Sequence, residues 1–372
     1  MHYFLDSNAH TPLNLSKKQI KKINKNIGIY GNPNSPNSLG QKAASIIENS
    51  REKIAELLGA KNSNQIFFTN SCTEANYWAM LVMAQDYLKH YDDKILPKIK
   101  ISPYEHSSIT ECLNILPGEK TELKLDELGK IKCLNKSDYS IFVGVQNETG
   151  IIADFQKIRE NTSKLFMSDM AQVVGKIPIN LTKMEIDIAT FGAHKFGGPS
   201  GVGFLYLRNP DLWCPIFNGK AYGFDRPGSM NVKGIYETKF ALENCLYNSD
   251  NLHGISLDFK NTLIDFLMLK GFAIVGHCAN RVPSTILAKV PGGKGLELLM
   301  ALSNRKIYVG LGSACGSMIE QPLKAAIALG YENAKNTEFI RISQYGNYGE
   351  DAAYNFIETL KEALAEIQKE EK

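Results

Sequence analysis

Between Ser168 and Gly203 the chain reads SDMAQVVGKIPINLTKMEIDIATFGAHKFGGPSGVG. Asp169 closes one apolar run, a second run from Ile186 to Phe191 leads to Lys195, and a third begins at Gly203. Short apolar runs bounded by glycine read as buried strands. An acid at one strand end, then a lysine in a glycine-flanked turn after the next, is the arrangement a pyridoxal phosphate (PLP) site needs. The lysine amine holds the cofactor aldehyde covalently, and a carboxylate keeps the pyridine nitrogen protonated, so that the ring remains an electron sink. Gly192, Gly197 and Gly198 permit the tight turns and close backbone approach that a planar cofactor requires. His194 stands beside the lysine as a donor to a phosphate. Taken singly, Lys195 would be a surface lysine and Asp169 a helix cap; the Gly-Gly-Pro turn after the lysine favours the cofactor.

Outward from this stretch the pattern is strand and helix in alternation. Strands are expected at Gln65 to Thr69, Ile99 to Ser102, Tyr139 to Gln146, Lys164 to Ser168, Ile186 to Phe191 and Gly203 to Leu207, with a helix from Thr73 to Leu88. Two helices, Ser16 to Ile27 and Gly40 to Leu58, precede them around a turn-rich GNPNSPNS. Such alternation predicts an α/β fold with a mostly parallel central sheet covered by helices. Beyond Asp250 the order changes to a helix from Ser256 to Lys270 and short strands near Ala273, Ser284 and Val309. A helix from Pro322 to Leu329, a strand from Phe339 to Ser343 and a final helix from Asp351 to Lys369 complete it. This predicts a large domain over 15–250 and a smaller α+β domain made of 1–14 and 251–372, with a cleft between them.

At 372 residues and 44% hydrophobic, the chain can bury the core of two domains. Its 42 Lys and Arg against 39 Asp and Glu leave +3, which nominates neither nucleic acid nor a membrane surface as partner. The N-terminus MHYFLDSNAHTPLN suggests no signal or transit peptide, and no window is apolar enough to span a bilayer. Seven cysteines without CxxC spacing argue against a disulfide framework or a metal site and suit a reducing cytoplasm.

Two further elements carry chemistry. After QIFFT, small polar residues open a helix at NSCTEANYW, so that the N–H groups of Cys72 and Thr73 point at an anion; an ordinary capping box, with Ser71 or Thr73 satisfying the first turn and Glu74 nearby, accounts for the same letters. Cys315 lies in YVGLGSACGSMIEQP, where glycines between a strand and a helix leave a thiol exposed and mobile. For most of the other cysteines the expected state is a small buried hydrophobe.

These segments, in this order, resemble the cysteine desulfurases of the NifS/IscS type, a branch of the class V aminotransferase-like PLP enzymes. The resemblance runs through FLDSNAHTP, GNPNS, FTNSCTEAN, SPYEHSSI, VQNETG, SDMAQVVGKIPI, FGAHKFGGPSGVGFLY, DRPGSMN, GSACGS and RISQYG, nearly the whole chain. It implies the PLP-dependent transferase type I fold, with Lys195 the lysine that holds the cofactor and Asp169 the partner of the pyridine nitrogen. His106 would stack on the ring and move protons. Asn147 and Gln172 would hydrogen-bond the ring oxygen and substrate region, and Cys72, Thr73 and His194 would grip the phosphate. Ser229, reaching over from a neighbouring subunit, would complete that grip, so the resemblance implies a homodimer. Arg341 would bind the substrate carboxylate as a bidentate fork. The implied reaction converts L-cysteine to L-alanine and leaves a persulfide on Cys315. The long interval from Cys315 to Gly330 favours delivery of that sulfur to a separate acceptor protein.

Some positions depart from the family pattern. Gly192 stands where a phosphate-binding serine is usual, a loss that Ser200 or a water would make up. His10 replaces a small residue, NPNSPNSLG lacks a histidine, and GKAYGFD before RPGSMN is unlike the usual segment. These departures suggest a specialised member. Two other readings compete: another class V PLP enzyme (an aminotransferase or selenocysteine lyase), which would not need the Cys315 thiol, and a catalytically weak scaffold for sulfur-acceptor proteins, which would be colourless.

Overall fold

The computed structural model describes residues 3–27, 31–90, 96–213, 228–312, 321–345 and 352–369. A seven-stranded sheet organises the larger part of the chain. Its strands are β2 (Ile66–Thr69), β3 (Lys98–Ile101), β4 (Glu119–Glu122), β5 (Ser137–Val143), β6 (Thr162–Asp169), β7 (Ile188–Gly192) and β8 (Gly203–Leu207), in the spatial order β2-β8-β7-β6-β5-β3-β4. From β7 to β4 every pairing is parallel, and β8 alone runs antiparallel to both of its neighbours. The mostly parallel sheet expected from the sequence is thus present. The burial patterns of β2, β7 and β8 are continuous, as strands covered on both faces require.

One apolar cluster, with Phe68, Phe142, Phe166, Phe191 and Phe204, covers one side of this sheet. A second, with Trp78, Met80, Met83, Ile141, Met167 and Leu205, covers the other. Helix α1 (Lys17–Ile27), α2 (Ser38–Leu58) and α6 (Val232–Tyr247) are associated with the first, and α3 (Cys72–His90) packs on the second. Asn37 caps α2 by accepting from Gly40 N, and Gly59 ends it at φ 67°, a left-handed conformation that glycine takes without strain. The short helices α4 (Ser107–Thr110) and α5 (Phe155–Glu160) complete this part.

The remaining elements surround a third cluster. Strands β9 (Ala273–Ile274), β10 (Thr285–Lys289) and β12 (Phe339–Ser343) form an antiparallel sheet, and β1 (Tyr3–Leu5) pairs in parallel with β11 (Ile307–Val309). Helices α7 (Ser249–Leu269), α8 (Gly295–Asn304), α9 (Lys324–Ala328) and α10 (Ala352–Lys369) accompany these strands. Bridges Asp6↔Ser343 and Gly310↔Arg341 stitch the N-terminal segment and the end of β11 to β12.

Several elements differ from expectation. Helix α7 starts seven residues before Ser256, and α6, α8 and the exposed edge strand β4 were not foreseen. Cys133 and Cys278 are exposed, and Cys72 and Cys112 half-buried; among the described cysteines only Cys245 is buried. The expected burial of most of them fails because Cys133 precedes β5 by four residues and Cys278 lies in the turn after β9, both outside the packed strands.

Candidate functional site

Strands β2, β3, β5, β6 and β7 point the same way, so Thr69, Ile101, Val143, Asp169 and Gly192 share one edge of the sheet. Ligands of open α/β sheets bind at this carboxyl edge. Cys72, His106, Asn147 and Lys195 follow four of these strands in short connections, and Asp169 is the last residue of the fifth.

Asp169 is 5% exposed. Its Oδ2 accepts from Asn76 Nδ2 at 3.1 Å, and its Oδ1 accepts from Ala171 N at 2.9 Å and from the Cys72 thiol at 3.7 Å. Burial, then the Asp169 charge, push the Cys72 thiol well up from its ordinary value, so it remains a thiol and donates. Asn76, itself 1% exposed, also donates to Ser108 Oγ at 2.9 Å and accepts from Thr190 Oγ1 at 2.6 Å. Ser108 then holds His106: its N–H donates to Nδ1 at 3.1 Å, and its Oγ lies 2.8 Å from the same nitrogen. A backbone N–H can only donate, so Nδ1 is the acceptor and Nε2 carries the proton of the neutral ring.

Lys195 sits in the 3-10 turn after β7, half-buried, with Nζ 2.7 Å from Asn8 O and 2.9 Å from Ala9 O. The N-terminal segment is pinned there in return, since Thr11 donates through Oγ1 to Lys195 O and through N to His194 O. Asn8 is the junction of the site. Besides Lys195, its carbonyl accepts from Gln172 Nε2 at 2.9 Å, and its Nδ2 donates to Asn147 O at 2.8 Å and Thr285 Oγ1 at 3.0 Å. Two residues earlier, Asp6 accepts from Arg341 Nη2 at 2.7 Å. Arg341 is 1% exposed; its Nη1 donates to Gly312 O at 2.9 Å, and its Nε has no partner among the described residues.

The start of α3 supports both readings of its letters. Ser71 Oγ accepts from Glu74 N and Glu74 accepts from Asn70 N, a capping arrangement. The N–H groups of Cys72 and Thr73 have no acceptor among the described residues and remain open to an anion. Gly203 allows this helix start to come close: a Cβ there would lie 2.4 Å from Ser71 C and 2.8 Å from Cys72 N. A Cβ on Gly192 would meet Cys72 Cβ at 3.2 Å and His194 Cε1 at 3.3 Å, so the position expected to hold a serine is tight beside Cys72. His194 is stacked by His10, ring centroids 5.6 Å apart. Burial first, then Lys195 and His10, lower its pKa to about 4, which leaves a neutral imidazole.

The structure therefore brings Lys195, Asp169, His106, His194, Cys72, Asn147, Gln172 and Arg341 around one edge, with Thr73 exposed at the helix start. Ser229 is exposed, three residues ahead of α6, and Ser200 is exposed as well. Cys315 lies outside the described residues; Gly312, whose carbonyl Arg341 holds, is the last described residue before it. Sequence reasoning missed Asn8, Asn76 and Lys176. A polar residue on the buried face of α3 was the available signal for Asn76.

The donor set fits PLP. A lysine amine held by backbone carbonyls is free to exchange them for a carbonyl compound, a buried carboxylate ends the strand beside β7, and a helix start with two open N–H groups suits the phosphate. No group of three or more metal-ligating side chains occurs among the described residues, and no described helix is long and apolar enough to cross a membrane.

The chain is 30% identical to cysteine desulfurase IscS of Dictyoglomus turgidum over 386 aligned positions, 96% of this chain and 95% of that protein. It is 28% identical to the putative cysteine desulfurase NifS of Bacillus subtilis strain 168, over 91% and 89% of the two chains. A solved NifS-like protein superposes with a TM-score of 0.85 at 26% identity, covering 98% of this chain and 100% of that one. The family model for aminotransferase class-V matches residues 3–352, and the chain belongs to that PLP-dependent family.

Proposed function

We propose that this protein is a PLP-dependent cysteine desulfurase, converting L-cysteine to L-alanine and placing the sulfur on Cys315 as a persulfide for an acceptor protein. The observation that carries this reading is the meeting of Lys195 and Arg341 on one short segment. Asn8 holds the amine and Asp6 the guanidinium, so an amino acid bridging the two presents its amine to the cofactor position. The relatives named as cysteine desulfurases support the choice of substrate.

When bound, PLP supplies an aldehyde that captures the substrate amine and a ring that takes up electrons released beside it. Asp169 holds the proton on the ring nitrogen, kept in place by Asn76 and Ala171 N. Cys72 N, Thr73 and His194 receive the phosphate, the last as a neutral donor. Asn147 and Gln172 receive the ring oxygen and substrate side. Arg341 donates to the substrate carboxylate along its Nε edge, since Asp6 and Gly312 O each take one N–H of the two Nη groups and Nε is unused among the described residues. His106, with Nδ1 held by Ser108, exchanges a proton at Nε2, and Lys195 moves the proton of the substrate α-carbon.

The thiolate of Cys315 attacks the substrate sulfur. A sulfur–sulfur bond forms, the carbon–sulfur bond breaks with its electrons returning to carbon, and that carbon takes up a proton to give alanine. Cys315 is three positions beyond Gly312, a reach of at most roughly 11 Å. The domain division of 15–250 against 1–14 and 251–372 places the cleft between the sheet edge and Arg341. A homodimer with Ser229 serving the partner's phosphate, a cytoplasmic setting, and use of the sulfur in iron-sulfur cluster assembly or thiolation belong to the same proposal.

The test is the visible spectrum of purified protein supplied with PLP, followed by quantification of alanine and sulfide from L-cysteine in the presence of a thiol reductant. A chromophore with equal yields of both supports the reading. A chromophore with pyruvate or transamination products instead would assign another class V reaction, and a colourless protein would leave the scaffold.

A further inference from the structure

A second lysine lies within the same cluster, and the steps above do not use it. Lys176 is half-buried, follows Gly175, and sends its amine to Asn8 Oδ1 at 2.5 Å and to Gln172 Oε1. Gly175 is at φ 74°, and a Cβ there would lie 2.2 Å from Cys245 Sγ, so the turn delivering Lys176 to this place requires glycine. The charged or titratable groups facing the amine are Lys195 from the turn after β7, Arg341 from β12 and Cys245 from α6. Burial, followed by the two cations, brings its pKa down to about 7.

An amine or ammonium offers donors to both amides, so it dictates which end of each turns toward it. Gln172 must present Oε1 to Lys176, which directs its NH2 the other way, where Nε2 meets Asn8 O. Asn8 must present Oδ1, which directs its Nδ2 to Asn147 O and Thr285 Oγ1. One side chain thereby orients Gln172 and the junction that holds Lys195 and Asn147. We infer that Lys176 is a positioning residue of this site, setting the amide orientation of Gln172 and Asn8 toward the cofactor. The inference rests on the reading of this cluster as the PLP pocket.

The experiment compares wild type with Lys176→Met, Lys176→Arg and, as a control on the exposed surface, Lys183→Met. Each is loaded with PLP; the visible chromophore is titrated with pH, and cofactor loss on dilution is followed. Thermal midpoints of the unloaded proteins report folding. The expected result is a folded Lys176→Met protein whose chromophore titrates at a shifted pH and loses PLP roughly tenfold more readily, the effect of one charged hydrogen bond. Lys176→Arg restores much of both, and Lys183→Met matches wild type. Should Lys176→Met not fold, Lys176→Gln carries the same comparison. A folded variant with wild-type titration and retention would overturn the inference. A wild type that takes up no PLP would instead remove the pocket reading beneath it.

Discussion

Asn76 donates to Asp169 across 3.1 Å, tying the first turns of α3 to the end of β6. The same carboxamide donates to Ser108, which in turn holds His106. Asp169 and His106 are therefore both set by one buried amide, which Thr190 fixes through its oxygen. Replacing Asn76 by Ala strands the buried hydroxyls and removes a donor from a carboxylate. The expected cost is about 1–3 kcal/mol of stability. Alanine production should fall together with an altered chromophore titration, measured against Asn76→Gln as a partial rescue.

Arg341 is expected to govern substrate affinity rather than cofactor uptake. Arg341→Lys keeps a charge but loses the planar fork, so KM for cysteine should rise by roughly tenfold or more while the visible spectrum stays unchanged. Steady-state kinetics over a wide cysteine range reads this directly. An unchanged KM would place the carboxylate elsewhere.

Glu105 next to His106 offers a pH-dependent stability test. It accepts from Val143 N at 2.6 Å and from Ser102 Oγ, while its Oε2 is buried without a partner among the described residues, and burial raises its pKa from 4.5 to about 8. A carboxyl raised in this way costs the folded state as pH climbs through that interval, because the unfolded chain releases the proton first. Glu105→Gln should therefore have a higher thermal midpoint than wild type above about pH 8 and a similar one near pH 4.5. Equal midpoints at both values would show that the carboxyl is solvated.

All strands of the central sheet but β4 were legible as short runs that bury apolar residues, and Lys195 and Asp169 stood out by their place at strand ends. Elements without that signal were not. β4 reads EKTE with every residue exposed, and the early part of α7, SDNLHGI, breaks apolar periodicity with polar residues and a glycine. In the site, Asn8 and Lys176 escaped notice because their significance arises from long-range contacts. Asn8 bonds Thr285, Ser343 and Asn147, hundreds or scores of residues away, and no local pattern encodes such a meeting.

The central claim is that sulfur moves from cysteine to Cys315 while Lys195 holds the cofactor. Its most direct test is mass spectrometry of the PLP-loaded protein after a single exposure to L-cysteine, with peptide mapping and a Cys315→Ser variant alongside. The account predicts one added sulfur on the Cys315 peptide, alanine in solution in matching amount, and neither in the variant, which keeps its chromophore. Alanine formed by Cys315→Ser at the wild-type rate, or sulfur found on another cysteine, would contradict it.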